Sequence, residues 1–457
     1  MRTKIITMLA FVFFITVNAQ DKKWTLEECV QYALDNNISI KQQELNAELV
    51  EEDVLTARGN FYPSLYGSAS QNWNFGSYIG QTGIRISNDT RGNTFGLNSG
   101  VNLYNGNRNK NILAQAKKDL EAAGYDLEES KNTIMLFIVN SYLNVLLNKE
   151  SLKISEDQIV ISKNQVEKSK GLVESGVQAR AVLLEAEATL ATNNQQLTAA
   201  KNTLDLSLLS LAQLLQISHK GFDVEDVLLD MTSESLKYTS TDDIFEKAVS
   251  ILPEIKSAQL AVESSELNVQ IAKGAYQPTL SFGAGLGTSY QHAKGEDDLR
   301  PVIDPDDPTN ITWVDNGFGE QLKNNLGYNL GFSLSVPIFN KFQTKSNVNR
   351  AIVNQKRTEL QLLDKQLQLR ESIEKAYADA KAALDQFRSS EKSLEAQEEL
   401  FKNAQESYNS GVMTSYDFDQ VRNRLVNAQS TMINAKYNFV FKTKLLEYYY
   451  GIPIVME

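Results

Sequence analysis

The chain offers little material for bond-making chemistry. Histidine occurs only as His219 and His292, far apart, and cysteine only as Cys29. Histidine-centred metal sites and catalytic triads therefore lack their ligands and bases. One cysteine excludes an internal disulfide framework and a cysteine-rich metal site. Cys29 lies within Leu26-Glu27-Glu28-Cys29-Val30, whose flanks do not suit lipidation, and a small buried helical residue is the expectation. The glycine string Gly283-Ala284-Gly285-Leu286-Gly287 superficially evokes a phosphate loop, but it alternates like a strand and opens no helix. Asp304-Pro305-Asp306-Asp307 has the charge to attract calcium, yet lacks the spacing and glycine of an EF-hand loop. Carboxylates on the helical stretches sit at coiled-coil flanking positions, where they form surface pairs. No cofactor and no enzymatic activity are expected.

Two short turns are better candidates. Ser175-Gly176-Val177 and Ser410-Gly411-Val412 each interrupt a long apolar repeat, and Gly176 and Gly411 suit the positive φ of a helix C-terminus. Asp417 stands one turn into the returning helix, where the helix dipole favours a carboxylate. Repeated by symmetry, it would ring a channel mouth.

The elements that carry these turns are long. Ile373, Ala380, Phe387, Leu394, Phe401 and Tyr408 recur every seven residues, and Phe418, Leu425, Met432, Phe439 and Leu446 continue the repeat after the turn. Upstream, Ile138, Val145, Leu152, Ile159, Val166 and Val173 lead to the first turn, and Leu183, Leu190, Leu197, Leu204 and Leu211 follow it. A sustained seven-residue repeat describes helices that wind left-handedly around neighbours. Running from near Asn107 and Thr344, each ascending helix would be on the order of 100 Å long, so the hairpins must build a tall tube. Ala186, Ala188, Ala191, Ala199 and Ala200 permit close approach on the returning helix.

Shorter helices precede each hairpin. Thr25 to Asn36 is predicted to be a short helix that begins with a capping box of Thr25 and Glu28. Helices over Lys41 to Arg58 and Lys256 to Lys273 end at Gly59 and Gly274, each followed by a proline, Pro63 or Pro278. The period then changes to two. Leu65, Gly67, Ala69, Gln71 and Trp73 alternate with Tyr66, Ser68, Ser70 and Asn72; Phe95 to Leu103, Leu280 to Leu286 and Leu326 to Ile338 alternate likewise. Strands of ~9–11 residues with one apolar face and one face of Gly, Ser and Asn are those of a membrane β-barrel. Four such strands cannot close a barrel, and open edges in lipid leave backbone groups unpaired, so the chain must oligomerise.

The chain therefore reads as two copies of one unit. A signal peptide over 1–19 is followed by a first repeat over 20–217, with a β-hairpin at about 63–104 and a helical hairpin at about 107–216. A connecting segment over 218–240, expected to be irregular, leads to a second repeat over 241–457, with a β-hairpin at about 278–340 and a helical hairpin at about 343–450. The second copy is longer because of extra residues around Gln291 to Gln321, which read as a long proline-rich extracellular loop.

Arg2 and Lys4 precede an apolar run from Ile5 to Val17, and Val17-Asn18-Ala19 suits cleavage before Gln20. The run is shorter than the ~20 residues of a spanning helix, so secretion is the expectation. A formal charge of −12 over 457 residues argues against a nucleic-acid partner.

Together these features resemble the TolC-type outer-membrane efflux protein family over essentially the whole mature chain. The run Ser410-Gly411-Val412-x-Thr414-x-x-Asp417 looks like that family's periplasmic tip. The resemblance implies a homotrimer in which long antiparallel coiled-coil hairpins form an α-barrel in the periplasm. Four transmembrane β-strands per subunit would complete a twelve-stranded barrel in the lipid of the outer membrane. It also implies docking, through a periplasmic adaptor protein, to an inner-membrane pump or secretion ATPase, with the tip turns as the docking points. Acidic residues ring the family's closed entrance. Asp417 matches one such position, Gln420 replaces the acid expected at the next, and Ala181 and Val182 stand where Thr and Asp are often found in the first copy. The function implied is a passive exit duct. The competing expectation is an exported coiled-coil scaffold or adhesin without a pore, which explains the heptads but not the alternating strands.

Overall fold

The computed structural model describes residues 23–87, 89–227 and 240–452. The expected signal peptide and most of the connecting segment lie outside them. The described chain opens with β1 (Lys23–Trp24) and α1 (Leu26–Asn36). Thr25 and Glu28 make the predicted capping box: the Thr25 hydroxyl accepts from the Glu28 amide at 3.1 Å, and the Glu28 carboxylate from the Thr25 amide at 3.2 Å. α2 (Ile38–Gly59) starts earlier than the sequence suggests, because Asn37 accepts from the Ser39 amide at 2.9 Å and caps it. There follow β2 (Ser64–Asn74), a ribbon of β3 (Ser77–Ile79) and β4 (Arg85–Ser87), and β5 (Thr90–Tyr104). The first long hairpin is α3 (Arg108–Glu174) and α4 (Arg180–Leu215).

The second half starts after β6 (Asp223–Val224) with α5 (Thr241–Ile251) and α6 (Pro253–Gly274). α6 also begins before its expected start, since proline at the first helical position is favourable. Then come β7 (Thr279–Ala293), β8 (Leu299–Ile303), β9 (Ile311–Asp315), α7 (Phe318–Asn324) and β10 (Gly327–Ser335). The chain ends its described part with α8 (Gln343–Asn409) and α9 (Ser415–Tyr450). Element lengths recur: α1 and α5 have 11 residues, α2 and α6 22, α3 and α8 67, and α4 and α9 36.

Two expectations need correction. The extra residues between β7 and β10 are not a structureless loop. Val302 and Ile303 on one side and Ile311 to Val314 on the other favour strands, and β8 and β9 pair antiparallel. The acidic run forms their turn: Asp304 and Asp307 accept from the amides of Asp306 and Thr309 at 3.0 and 3.1 Å. Nor is the start of the connecting segment irregular, because β6 pairs parallel with β1.

The chain divides into two compact units: the described residues of 1–44, 126–255 and 366–457, and those of 45–125 and 256–365. In the first, α1, α3 and α4 pack around Cys29, Ile138, Tyr142, Val145 and Leu211, all with essentially no exposure. Cys29 is thus a buried helical residue, and burial pushes its thiol up to about 12. The heptad positions Ile373, Ala380, Phe418, Leu425 and Leu446 are buried as their spacing requires.

The second unit holds one four-stranded antiparallel sheet in the order β10-β7-β5-β2. Its register places like residues opposite one another. Phe332 faces Phe282, Leu330 faces Ala284 and Tyr328 faces Leu286; Leu286 then faces Leu97, and Phe282 faces Val101. Directly opposed residues share a sheet face, so the apolar positions form one continuous face. Asn329, Gly285 and Asn98 line up on the other. The glycine string of β7 has a structural reason: a Cβ on Gly285 would meet the amide oxygens of Asn329 at 2.5 Å and Asn98 at 3.0 Å. Phe61, Tyr62, Tyr104, Tyr276, Phe339 and Phe342 are exposed where the strands meet the helices, and Trp73, Phe75 and Tyr78 toward the other end. Among the described residues, no helix is long and apolar enough to cross a membrane.

Candidate functional site

The two helix ends are built alike. At the end of α3, the Val177 amide donates to the Leu172 carbonyl at 2.9 Å and the Gly176 amide to Val173 at 3.0 Å. At the end of α8, Val412 donates to Ser407 at 3.0 Å and Gly411 to Tyr408 at 3.2 Å. These bonds form Schellman closures, and Gly176 and Gly411 supply the required left-handed backbone with φ of 75° and 76°. The hydroxyls of Ser175 and Ser410 donate back to the carbonyls of Gly171 and Glu406 at 2.9 and 2.8 Å. Val177 and Val412 are left exposed at the apices.

Beyond the second turn, Thr414 caps α9. Its hydroxyl accepts from the Asp417 amide at 3.2 Å and donates to Asp417 Oδ2 at 2.7 Å. Asp417 and Gln420, three residues apart, share one exposed face of α9. The Gln420 carbonyl accepts from Arg424 Nε at 3.3 Å. In the first hairpin the residue at the N-cap is Ala179, which makes no side-chain cap bond. The position equivalent to Thr414 is therefore Ala179 and not Ala181, while Val182 is the equivalent of Asp417. Only the second hairpin carries the polar cap.

Sequence reasoning passed over a buried polar cluster beside these turns. Arg422 on α9 is only 2% exposed. Its guanidinium lies 3.0 Å from Asp419 Oδ1 and donates to Gln165 Oε1 at 3.1 Å; Gln165 Nε2 donates to Asp419 Oδ2 at 3.3 Å. Burial raises the Asp419 carboxyl above the ordinary range despite the neighbouring Arg422 and Gln165. Lys168 on α3 donates to the Tyr408 carbonyl at 2.9 Å and sits 4.0 Å from the centre of the Tyr408 ring. These contacts join α3 of the first hairpin to α8 and α9 of the second. Their sequence signal is a polar stripe of Gln158, Ser162, Gln165 and Ser169, each buried, at helical three/four spacing on α3. Among the described residues, no group of three or more His, Cys, Asp or Glu is placed to hold a metal ion.

Comparison with known proteins agrees with this architecture. Residues 29–215 and 246–443 match the family described as Outer membrane efflux protein. The pyoverdine export outer membrane protein OpmQ of Pseudomonas aeruginosa is 23% identical over 64% of this chain, and the match spans 54% of OpmQ. The cation efflux system protein CusC of Escherichia coli is 21% identical over 89% of this chain and 82% of its own. A crystal structure of CusC superposes with a TM-score of 0.76 at 16% identity, over 94% of this chain and 92% of that one. The fold is thus that of TolC-like channels. The chain belongs to the outer membrane efflux protein family: its place is the outer membrane and its task is efflux across it.

Proposed function

We propose that three copies of this chain, each a duplicated unit, close a twelve-stranded β-barrel in the outer membrane. The assembly then serves as the passive exit duct of a tripartite efflux or secretion system. The observation that carries the reading is the sheet β10-β7-β5-β2, with one continuous apolar face and two edges that are unpaired among the described residues. An open edge in lipid is untenable. β10 and β2 run in opposite directions, so β10 of one copy can pair antiparallel with β2 of the next and keep the alternation around a ring. The helices beside those edges carry matching apolar stripes: Leu45, Leu49 and Leu55 on α2, and Val353, Leu360 and Leu363 on α8, are exposed in the single chain. Aromatic residues near both ends of the strands suit the two lipid–water interfaces.

In this reading the signal peptide directs export. The hairpin ends face the periplasm, where Ser175 to Val177 and Ser410 to Thr414 meet an adaptor protein that links to an inner-membrane pump. Asp417 and Gln420 ring the entrance. Opening is a two-state shift in which partner contacts compete with those that hold the ends together. Within one chain those include the links of Gln165 to Asp419 and Arg422 and of Lys168 to Tyr408. The cargo is chosen by the partner.

Two measurements test this. The protein should leave membranes only with detergent; release by salt or urea would contradict an integral barrel. In planar-bilayer recordings, Asp417→Ala should change conductance or cation preference. If both are unchanged, Asp417 has no part in the gate and serves only with Thr414 as a helix cap.

A further inference from the structure

The β3–β4 and β8–β9 ribbons lie outside the four-stranded sheet and carry apolar side chains exposed to solvent. Ile79 is 70% exposed and Trp313 61%; Ile84, Ile303 and Ile311 are similarly bare. Solvated loop tips have no need of such residues.

The β8–β9 ribbon is firmly based. Asp298 accepts from the Tyr290 hydroxyl at 3.0 Å and meets His292 Nδ1 at 2.8 Å. The Gln321 side chain bonds both the amide and the carbonyl of Gln291, at 2.9 and 3.0 Å. Its apolar residues are therefore presented in advance of any contact, which lowers the cost of ordering them on binding.

In the trimeric ring proposed above, each ribbon would have two neighbours. β3–β4 rises between β2 and β5, and β8–β9 between β7 and β10. Inside one chain the strands beneath them, β5 and β7, pair directly, and the outer end of that pair is polar. The Lys294 amide donates to the Asp89 carbonyl at 2.8 Å, and Arg91 donates to the Tyr290 hydroxyl at 3.3 Å. The exposed apolar residues take no part in it. The other neighbour is the ribbon of the next copy, across the β10–β2 joint. Charge agrees: residues 77–87 hold Arg85 and no carboxylate, whereas β8, β9 and their turn carry Asp304, Asp306, Asp307 and Asp315 against Arg300.

We propose that β8–β9 of one copy packs its apolar residues on β3–β4 of the next, forming an extracellular seam that fastens the subunits above the membrane. This rests on the trimeric barrel proposed above, with a second copy of the chain as the occupant.

The test uses the full chain in detergent with Ile84→Cys and Trp313→Cys combined; Cys29 is buried and stays silent. A short bismaleimide should give dimer and trimer bands on a denaturing gel from the double variant and neither from the single ones. Light scattering on the same sample reads the oligomer. A trimer by mass with only monomer on the gel overturns the seam and leaves the barrel standing. A dimer band of equal strength from a single variant also overturns it, as collision would explain it. A monomer by mass overturns both.

Discussion

Arg422 shows what a single side chain can hold at the hairpin ends. Replacing it by Met removes the guanidinium but leaves Asp419 facing Gln165 in a largely buried setting. Breaking one side of a buried ion pair costs on the order of 3 kcal/mol. The loss should appear as reduced amide protection over residues 415–425 at neutral pH. Its pH dependence follows from Asp419. Burial already raises that carboxyl, and a carboxylate raised in the folded state weakens the fold as pH climbs through its pKa. In Arg422→Met, protection corrected for intrinsic exchange should therefore recover in part as pH falls from 7 toward the ordinary carboxylate pKa of about 4. No recovery would mean that Asp419 is solvated once its partner is gone. The sequence displayed Asp417, because a carboxylate one turn into a helix has a local reason to be there. It hid Arg422, because helices rich in Arg and Lys give no sign of which one points inward until the polar stripe on α3 is set against it.

Where elements meet, two glycines differ in how much room surrounds them. Gly59 ends α2 with nothing within 4 Å of where a Cβ would sit. Gly106, at the turn into α3, has φ of 69°, and its Cβ would collide with the Gly274 carbonyl and come within 2.7 Å of Gln277 Cβ. Gly106→Ala should cost on the order of 2 kcal/mol or more and lower the melting temperature, while Gly59→Ala should be tolerated. Equal effects would contradict the close approach of this turn to α6.

The joint of β1 and β6 carries a pH signature. Burial works against the Asp223 carboxylate, but Lys149 at 2.8 Å, the Val224 amide and Lys23 outweigh it and hold its pKa below the ordinary value. A depressed carboxylate gives stability that is present above its unfolded pKa and lost as pH falls through the folded one. Protection at residues 23–24 and 223–225 should hold from pH 7 down to about pH 4 and then decline. Lys149→Gln should bring the decline to higher pH; decline above pH 5 in the native protein would contradict the clasp. Helices and strands were legible because heptad and period-two patterns are local. The β8–β9 ribbon was not, because its prolines and acids read as loop while the strands beside them are short. The β1–β6 pairing joins residues some two hundred positions apart and has no local signal.

For the whole molecule, the single chain is unfinished. Among the described residues its sheet has two open edges, and α2 and α8 beside them expose leucines and valine that no other described element covers. The need for partners could be argued from the strand count alone, since lipid does not tolerate open edges. The number of copies could not, because pairing fixes only that edges be matched and directions alternate. The most direct measurement is the mass of the detergent-solubilised mature protein, taken with single-channel conductance on the same sample. A trimeric duct should give a mass three times that of the chain and a conducting pore. A monomer or dimer that conducts nothing would contradict it, and would mean that these strands close no barrel.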